Sequence, residues 1–296
     1  MLTLKRHTVL SESHPRINGI SFLKRHSNRA GAKLHLAHAT GFNAQTYRPL
    51  FDQIDLGTTL FAMDMRGHGM SAAPAKPEAL HSWHTYEKDL IAFIDELDEP
   101  LFLAGHSIGA AVSIAAAAAR PQQVKGLVLL EPVILPPAID IIMTCAKAMK
   151  LGHALPIAKG AKNRSFRFKS KTAAVERYTG RGAFKSWPEQ WIREYIEGGT
   201  LQAEEGVELS CKPEWEARTF SVTSHKPWQS IKKLKCPITL LKGGLGSTCM
   251  MKSLNKIKAL HPNNPYKVID EASHFLPMEY TDLCAQEINR FINEHS

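Results

Sequence analysis

Short apolar runs alternate with amphipathic stretches along most of the chain. Lys33–Ala37, Thr59–Met63, Pro100–Ala104, Val124–Leu130, Pro237–Leu241 and Pro265–Ile269 are short, mainly apolar segments bounded by Gly, Pro or polar residues. That is the pattern of strands buried on both faces. Gln45–Ile54, Thr85–Leu97, Ala110–Ala119 and Met278–Phe291 fall between or after them and read as helices. Leu90, Ile91, Phe93, Ile94 and Leu97 give the second its apolar stripe, and Pro277 marks the start of the last. Thr8–Leu10 and Gly19–Leu23 read as an antiparallel pair ahead of the alternation. Strands alternating with helices predict an α/β fold, a mostly parallel sheet with helices on both faces.

The alternation stops between Ile134 and about Ser230, where the chain reads as mainly helical and holds Trp187, Trp191, Trp215 and Trp228. Residues 133–230 are therefore expected to form a helical cap, or lid, inserted into a core of residues 1–132 and 231–296. The cap has a distinctive charge. The whole chain carries +9, yet eleven Lys/Arg residues and one acid, Glu176, lie between Lys147 and Lys185, so this segment alone carries +10. A basic patch of this kind suits an acidic substrate, a membrane surface or a polyanion, and is equally the solvated face of a lid.

Other classes are excluded by what the sequence lacks. At 296 residues and 44% hydrophobic content the chain can bury one sizeable core. No apolar run is long enough to span a bilayer, and Met1–His7 is not followed by the apolar stretch of a signal peptide, so no integral membrane association is expected. Cys145, Cys211, Cys236, Cys249 and Cys284 are odd in number and lack ligand spacing, which fits reduced thiols in the cytoplasm. No metal site and no cofactor are expected. No nucleic-acid-binding motif accompanies the basic segment, so no nucleic-acid partner is expected either. The oligomeric state is not legible.

The most informative segment is Gly105-His106-Ser107-Ile108-Gly109, between the strand ending at Ala104 and the helix that follows. A serine at a sharp strand-to-helix turn adopts strained backbone angles that lift its hydroxyl out of the sheet, and the flanking glycines avoid collisions there. With His38-Ala39-Thr40-Gly41, Asp64-Met65-Arg66-Gly67-His68-Gly69-Met70-Ser71 and Ala272-Ser273-His274-Phe275, it forms four motifs in order over some 240 residues. On these motifs the chain resembles the α/β-hydrolase fold family along its whole length. The resemblance implies an eight-stranded, mostly parallel sheet with helices on both faces and a helical cap over the site. It implies Ser107 as nucleophile, His274 as its base, and the backbone N–H groups of Thr40 and Ile108 as the oxyanion hole. Asp64 and Arg66 are read as a structural turn, and His68 and His106 as structural histidines.

The third triad member is not where the family usually keeps it. After the strand that follows the cap the chain reads Lys242-Gly243-Gly244-Leu245-Gly246-Ser247-Thr248, and no carboxylate occurs from Gly243 to Ile269. Asp270 and Glu271 precede His274 too closely to reach back to its imidazole. Glu131, at the end of the strand after the elbow helix, is the expected acid. Adjacent parallel strands lie about 4.8 Å apart, and Pro132 is expected to hold Glu131 extended. The order Ser107, Glu131, His274 keeps nucleophile, acid and base in sequence. The expected function is a serine hydrolase of carboxylic esters acting on a small-molecule acyl substrate through an acyl-enzyme. Lactonase, thioesterase and C–C bond hydrolase activities, or a non-catalytic ligand-binding protein on the same fold, are the alternatives.

Overall fold

The computed structural model describes residues 3–27, 31–149, 151–222 and 227–296, without the side chains of 146–148. Met1 and Leu2 of the N-terminal segment, and Lys150 and the Lys147 side chain of the basic segment, lie outside the described residues.

The first half of the chain contains β1 (Lys5–Thr8), β2 (Ser21–Arg25), β3 (Lys33–Ala37), α1 (Arg48–Phe51), β4 (Thr59–Met63), α2 (His84–Leu97), β5 (Leu101–His106), α3 (Ile108–Ala119) and β6 (Val124–Leu130). Then come α4 (Pro137–Ala148), α5 (Pro156–Lys162), β7 (Arg167–Phe168), α6 (Lys171–Tyr178), α7 (Glu189–Gly199), β8 (Thr200–Gln202), β9 (Val207–Leu209), α8 (Pro213–Ser221) and α9 (Pro227–Ile231). The chain closes with β10 (Ile238–Gly243), α10 (Met251–Leu260), β11 (Tyr266–Ile269), α11 (Leu276–Glu279) and α12 (Thr281–His295). Eight strands form one sheet in the order β1-β2-β4-β3-β5-β6-β10-β11. The β1/β2 and β2/β4 pairs are antiparallel and the others parallel.

The side-chain period of two along each central strand builds a core on both faces of this sheet. Leu101 and Leu103 of β5, with Leu127 and Leu129 of β6, join one cluster under α2 and α3. Phe102 and Ala104, with Val128 and Leu130, join the other, against Ile288, Phe291 and Ile292 of α12. Such burial is the dominant favourable term in folding, about 25 cal/mol per Å² of apolar surface.

Three expectations are corrected. The antiparallel start involves Lys5–Thr8 rather than Thr8–Leu10. The closing helix breaks at Tyr280, so Pro277 sits inside the short α11 and α12 begins at Thr281. The segment between β6 and β10 is not purely helical, because β7, β9 and β8 form a small antiparallel sheet. Its strands are only two or three residues long, too short for a periodicity signal.

Candidate active site

The Gly105–Gly109 turn has the backbone that its motif demands. Ser107 lies at φ +58°, ψ −120°, a conformation that costs a non-glycine residue about 1–3 kcal/mol and persists only where the surroundings impose it. Its N–H donates to the Leu130 carbonyl at 3.1 Å, and its carbonyl accepts from Val133 at 3.3 Å, so the turn is tied to the end of β6. The glycines are needed for space. A Cβ at Gly105 would stand 2.5 Å from the Ala110 nitrogen and the Gly109 carbonyl, and one at Gly109 would overlap the Ala37 carbonyl of β3.

Ser107, His274 and Glu131 form one hydrogen-bonded chain across the C-terminal edge of the sheet. Ser107 Oγ lies 3.0 Å from His274 Nε2, and His274 Nδ1 lies 3.1 Å from Glu131 Oε2. A carboxylate only accepts, so Nδ1 carries the proton toward Glu131 and Nε2 is left to accept from the serine. Glu131 is fully buried and its second oxygen is occupied as well. Oε1 accepts from the Gly243 N–H at 2.5 Å and from Ser247 Oγ at 2.7 Å. Thr248 Oγ1 stands 3.4 Å from His274 Nδ1. The loop that lacks a carboxylate thus supplies donors to one that arrives from the neighbouring strand.

Glu131 reaches this position by a backbone other than the one expected. Its φ is +47°, in the left-handed region, rather than extended. The Pro132 ring disfavours the right-handed helical region for the preceding residue, and the Glu131 N–H is already committed to the Leu241 carbonyl at 2.8 Å. Among the described residues neither Asp270 nor Glu271 forms a hydrogen bond or ion pair with the His274 imidazole, whose carboxylate partner is Glu131.

Sequence reasoning missed the network behind the imidazole. His106 Nε2 donates to the His274 carbonyl at 2.8 Å, since a carbonyl can only accept. Its Nδ1 is then the acceptor for the Tyr47 hydroxyl at 2.6 Å, which in turn accepts from the Ala39 N–H at 3.1 Å. His38 Nδ1 donates to the Ala39 carbonyl at 2.7 Å, and its Nε2 accepts from Met65 at 2.9 Å. The Ala39 carbonyl and the Thr40 N–H belong to one peptide unit, so His38 fixes the plane that carries a candidate oxyanion donor. Burial holds His106 neutral, its pKa lowered to about 3, and holds His38 neutral with a pKa of about 4. The N–H groups of Thr40 and Ile108 have no acceptor among the described residues. Ile108 heads α3, where the first N–H groups lack partners within the helix.

Asp64 and Arg66 sit in the turn after β4. The buried Asp64 carboxylate accepts from the N–H groups of Ala44 at 2.8 Å and Met70 at 3.0 Å and pairs with Arg6. Arg66 forms a bidentate pair with Asp89, at 2.9 and 3.0 Å.

A cavity of about 630 Å³ opens above Ser107, lined by Thr40, Phe42, Phe184, Phe220, His274 and Phe275 with residues of α5, α6 and α8. Trp187, Trp191, Trp215 and Trp228 are not among its lining residues. Trp187 and Trp191 pack against Phe42 and Tyr47, and the indole N–H groups of Trp215 and Trp228 donate to the carbonyls of Arg66 and Leu135. An open cleft of about 770 Å³ beside the small sheet, lined by Arg167, Lys169 and three glutamates, holds neither serine nor imidazole. Among the described residues no cluster of His, Cys, Asp or Glu could hold a metal ion, and no helix is long and apolar enough to cross a membrane.

Comparison with known proteins agrees with this architecture. The family model described as serine aminopeptidase, S33, matches residues 28–180, just over half of the chain. The 2-(acetamidomethylene)succinate hydrolase of Mesorhizobium japonicum is 25% identical over 267 residues, 89% of each chain. Human monoglyceride lipase is 31% identical over 110 residues, 35% of this chain and 36% of its own. The crystal structure of an E-2-(acetamidomethylene)succinate hydrolase superposes with a TM-score of 0.76 at 20% identity, covering 99% of this chain and 100% of that one. The parallel sheet, the strained serine between β5 and α3 and the match of the family model lead to one conclusion: the chain belongs to the α/β-hydrolase family.

Proposed function

We propose that this protein is a serine hydrolase that cleaves carboxylic esters of small-molecule acyl substrates through an acyl-enzyme intermediate. Residues 133–230 act as a lid over a core of residues 1–132 and 231–296. The observation that carries the reading is the continuous chain from Ser107 Oγ through His274 to Glu131, with contacts of 3.0 and 3.1 Å.

His274 takes the Ser107 proton on Nε2 as Oγ attacks the ester carbonyl carbon. The resulting tetrahedral oxyanion lies against the Thr40 and Ile108 N–H groups, two preorganised donors that bind it more tightly than the ground-state carbonyl. His274 then passes its proton to the departing alkoxide, leaving an acyl-serine and free alcohol. Water enters, gives a proton to His274 and attacks the acyl carbon. As the intermediate collapses, the carboxylic acid leaves and the proton returns to Ser107. Throughout, Glu131 keeps Nδ1 protonated and stabilises the imidazolium.

The absence of a carboxylate after β10 would favour a non-catalytic binder, and a buried Glu131 in contact with His274 removes that argument. Labelling with a fluorophosphonate tests the reading. Stoichiometric modification at Ser107, abolished in Ser107→Ala, is the expected result, together with turnover of p-nitrophenyl esters. A folded protein that neither labels nor turns over any acyl chain length overturns it.

A further inference from the structure

The triad leaves the basic segment without a purpose. Of its cations, Arg164, Arg177 and Arg181 line the cavity above Ser107, and they are held in different ways. Arg164 is committed: it pairs with Glu216 at 2.7 Å and donates to the Cys211 carbonyl at 3.0 Å and the Tyr195 hydroxyl at 3.3 Å. Glu216 is buried beside it and is the only acidic side chain lining the cavity among the described residues. Burial pushes its carboxyl up, and Arg164 pulls it back toward the charged form.

Arg177, at the end of α6, and Arg181, just after it, have no carboxylate partner among the described residues. Arg181 sits in a turn between Gly180 at φ +70° and Gly182 at φ +53°, a backbone that only glycine enters freely. With the charges of Arg164 and Glu216 cancelling, the lining keeps two unbalanced guanidinium groups beside the apolar rings of Phe184 and Phe220. Against those groups an apolar chain end would displace water and offer nothing in return. A carboxylate matches the planar guanidinium fork and can be held by two N–H donors at once.

We propose that the cavity selects acyl substrates that carry a second, free carboxylate, held by Arg177 and Arg181 while the scissile carbonyl lies at Ser107. This rests on Ser107 as the nucleophile and goes beyond it by naming the substrate class.

The test compares mono-p-nitrophenyl glutarate with p-nitrophenyl valerate, which differ by a carboxylate in place of a methyl at the same chain length. At low ionic strength kcat/KM is expected to favour the glutarate ester by no more than on the order of tenfold, because Arg177 and Arg181 are exposed and such arginines contribute at most a few-fold each. Sodium chloride should erode the preference through screening. Arg177→Gln/Arg181→Gln should bring the ratio to about one or below, mainly through KM. Lys185→Gln, a charge change in the same segment outside the cavity lining, should leave the ratio as it is. A wild-type ratio of one or less, with the valerate ester turned over, overturns the carboxylate site and leaves the hydrolase standing. So does an equal loss of preference in Lys185→Gln, which would assign it to the diffuse field of the cap. Faster turnover of the 4-phosphonobutyrate ester than of the glutarate ester would replace carboxylate by phosphate-type chemistry and likewise overturn the proposal. If no ester is hydrolysed, the hydrolase reading fails separately. The anion site is then read from thermal stabilisation by glutarate, which must be present in Ser107→Ala and lost in the double arginine variant.

Discussion

Replacing Glu131 by Gln changes one atom and reverses the polarity of the site. The Gln carbonyl must take the place of Oε1, because two donors converge there: the Gly243 N–H at 2.5 Å and the Ser247 hydroxyl at 2.7 Å. The amide NH₂ then faces His274 Nδ1, where a carboxylate oxygen stood at 3.1 Å. Two N–H donors cannot share that contact, so the imidazole is driven to the tautomer with its proton on Nε2. That proton points at Ser107 Oγ, 3.0 Å away, and the base becomes a donor. In the serine-protease example of the same substitution, a wrong tautomer lowers kcat about 10⁴-fold, roughly 5.4 kcal/mol of transition-state stabilisation. A similar loss is expected here, with an unchanged fold and little change in KM. The assay is kcat on p-nitrophenyl butyrate alongside circular dichroism of the variant. Turnover within tenfold of wild type would refute the role of Glu131 and return the search to the loop after β10.

The remaining predictions concern the groups behind the site. Tyr47→Phe removes the hydroxyl between the Ala39 N–H and His106 and strands two buried polar groups. The expected loss is about 1–3 kcal/mol of stability in urea unfolding, with a several-fold fall in kcat as the Thr40 loop and His274 loosen. An unaltered unfolding midpoint would show that the bridge carries no energy. Acid should destabilise the fold before ordinary carboxylates titrate. His35, His68 and His106 are held neutral to about pH 3, and His38 to about pH 4, all by burial. Once unfolded, each binds a proton near pH 6.5, so the unfolded state holds more protons in this window. Stability is therefore full above pH 6.5 and falls as pH drops toward 4. The loss is about 2 kcal/mol for each imidazole between pH 7 and pH 5, checked by urea midpoints at those two pH values.

Much of the candidate site could be read locally. Ser107 was identified by glycines two residues to either side, and the structure gives the reason: neither position has room for a Cβ. His274 was legible from its place after the last strand and Glu131 from its place at the end of β6. The backbone of Glu131 was not, because φ +47° reflects how its N–H and side chain are both pinned by β10 and the loop after it. Ser247 and Tyr47 carried no local signal. A serine in a loop and a tyrosine in a helical turn have no spacing that reveals a partner.

By itself the sequence determined the alternation of strands and helices, the two-sided core and the strained serine, because these follow from side-chain period and steric room within a few residues. Only the tertiary structure decided the partnerships. Glu131 meets His274 across 143 positions because β6, β10 and β11 are consecutive in the sheet, so the loop after β11 stands near the end of β6. Arg177 and Arg181 face the cavity rather than solvent alone because the segment between β6 and β10 folds back over Ser107. Strand order and the return of an inserted segment arise from packing between elements distant in the chain, and no local pattern of residues encodes them.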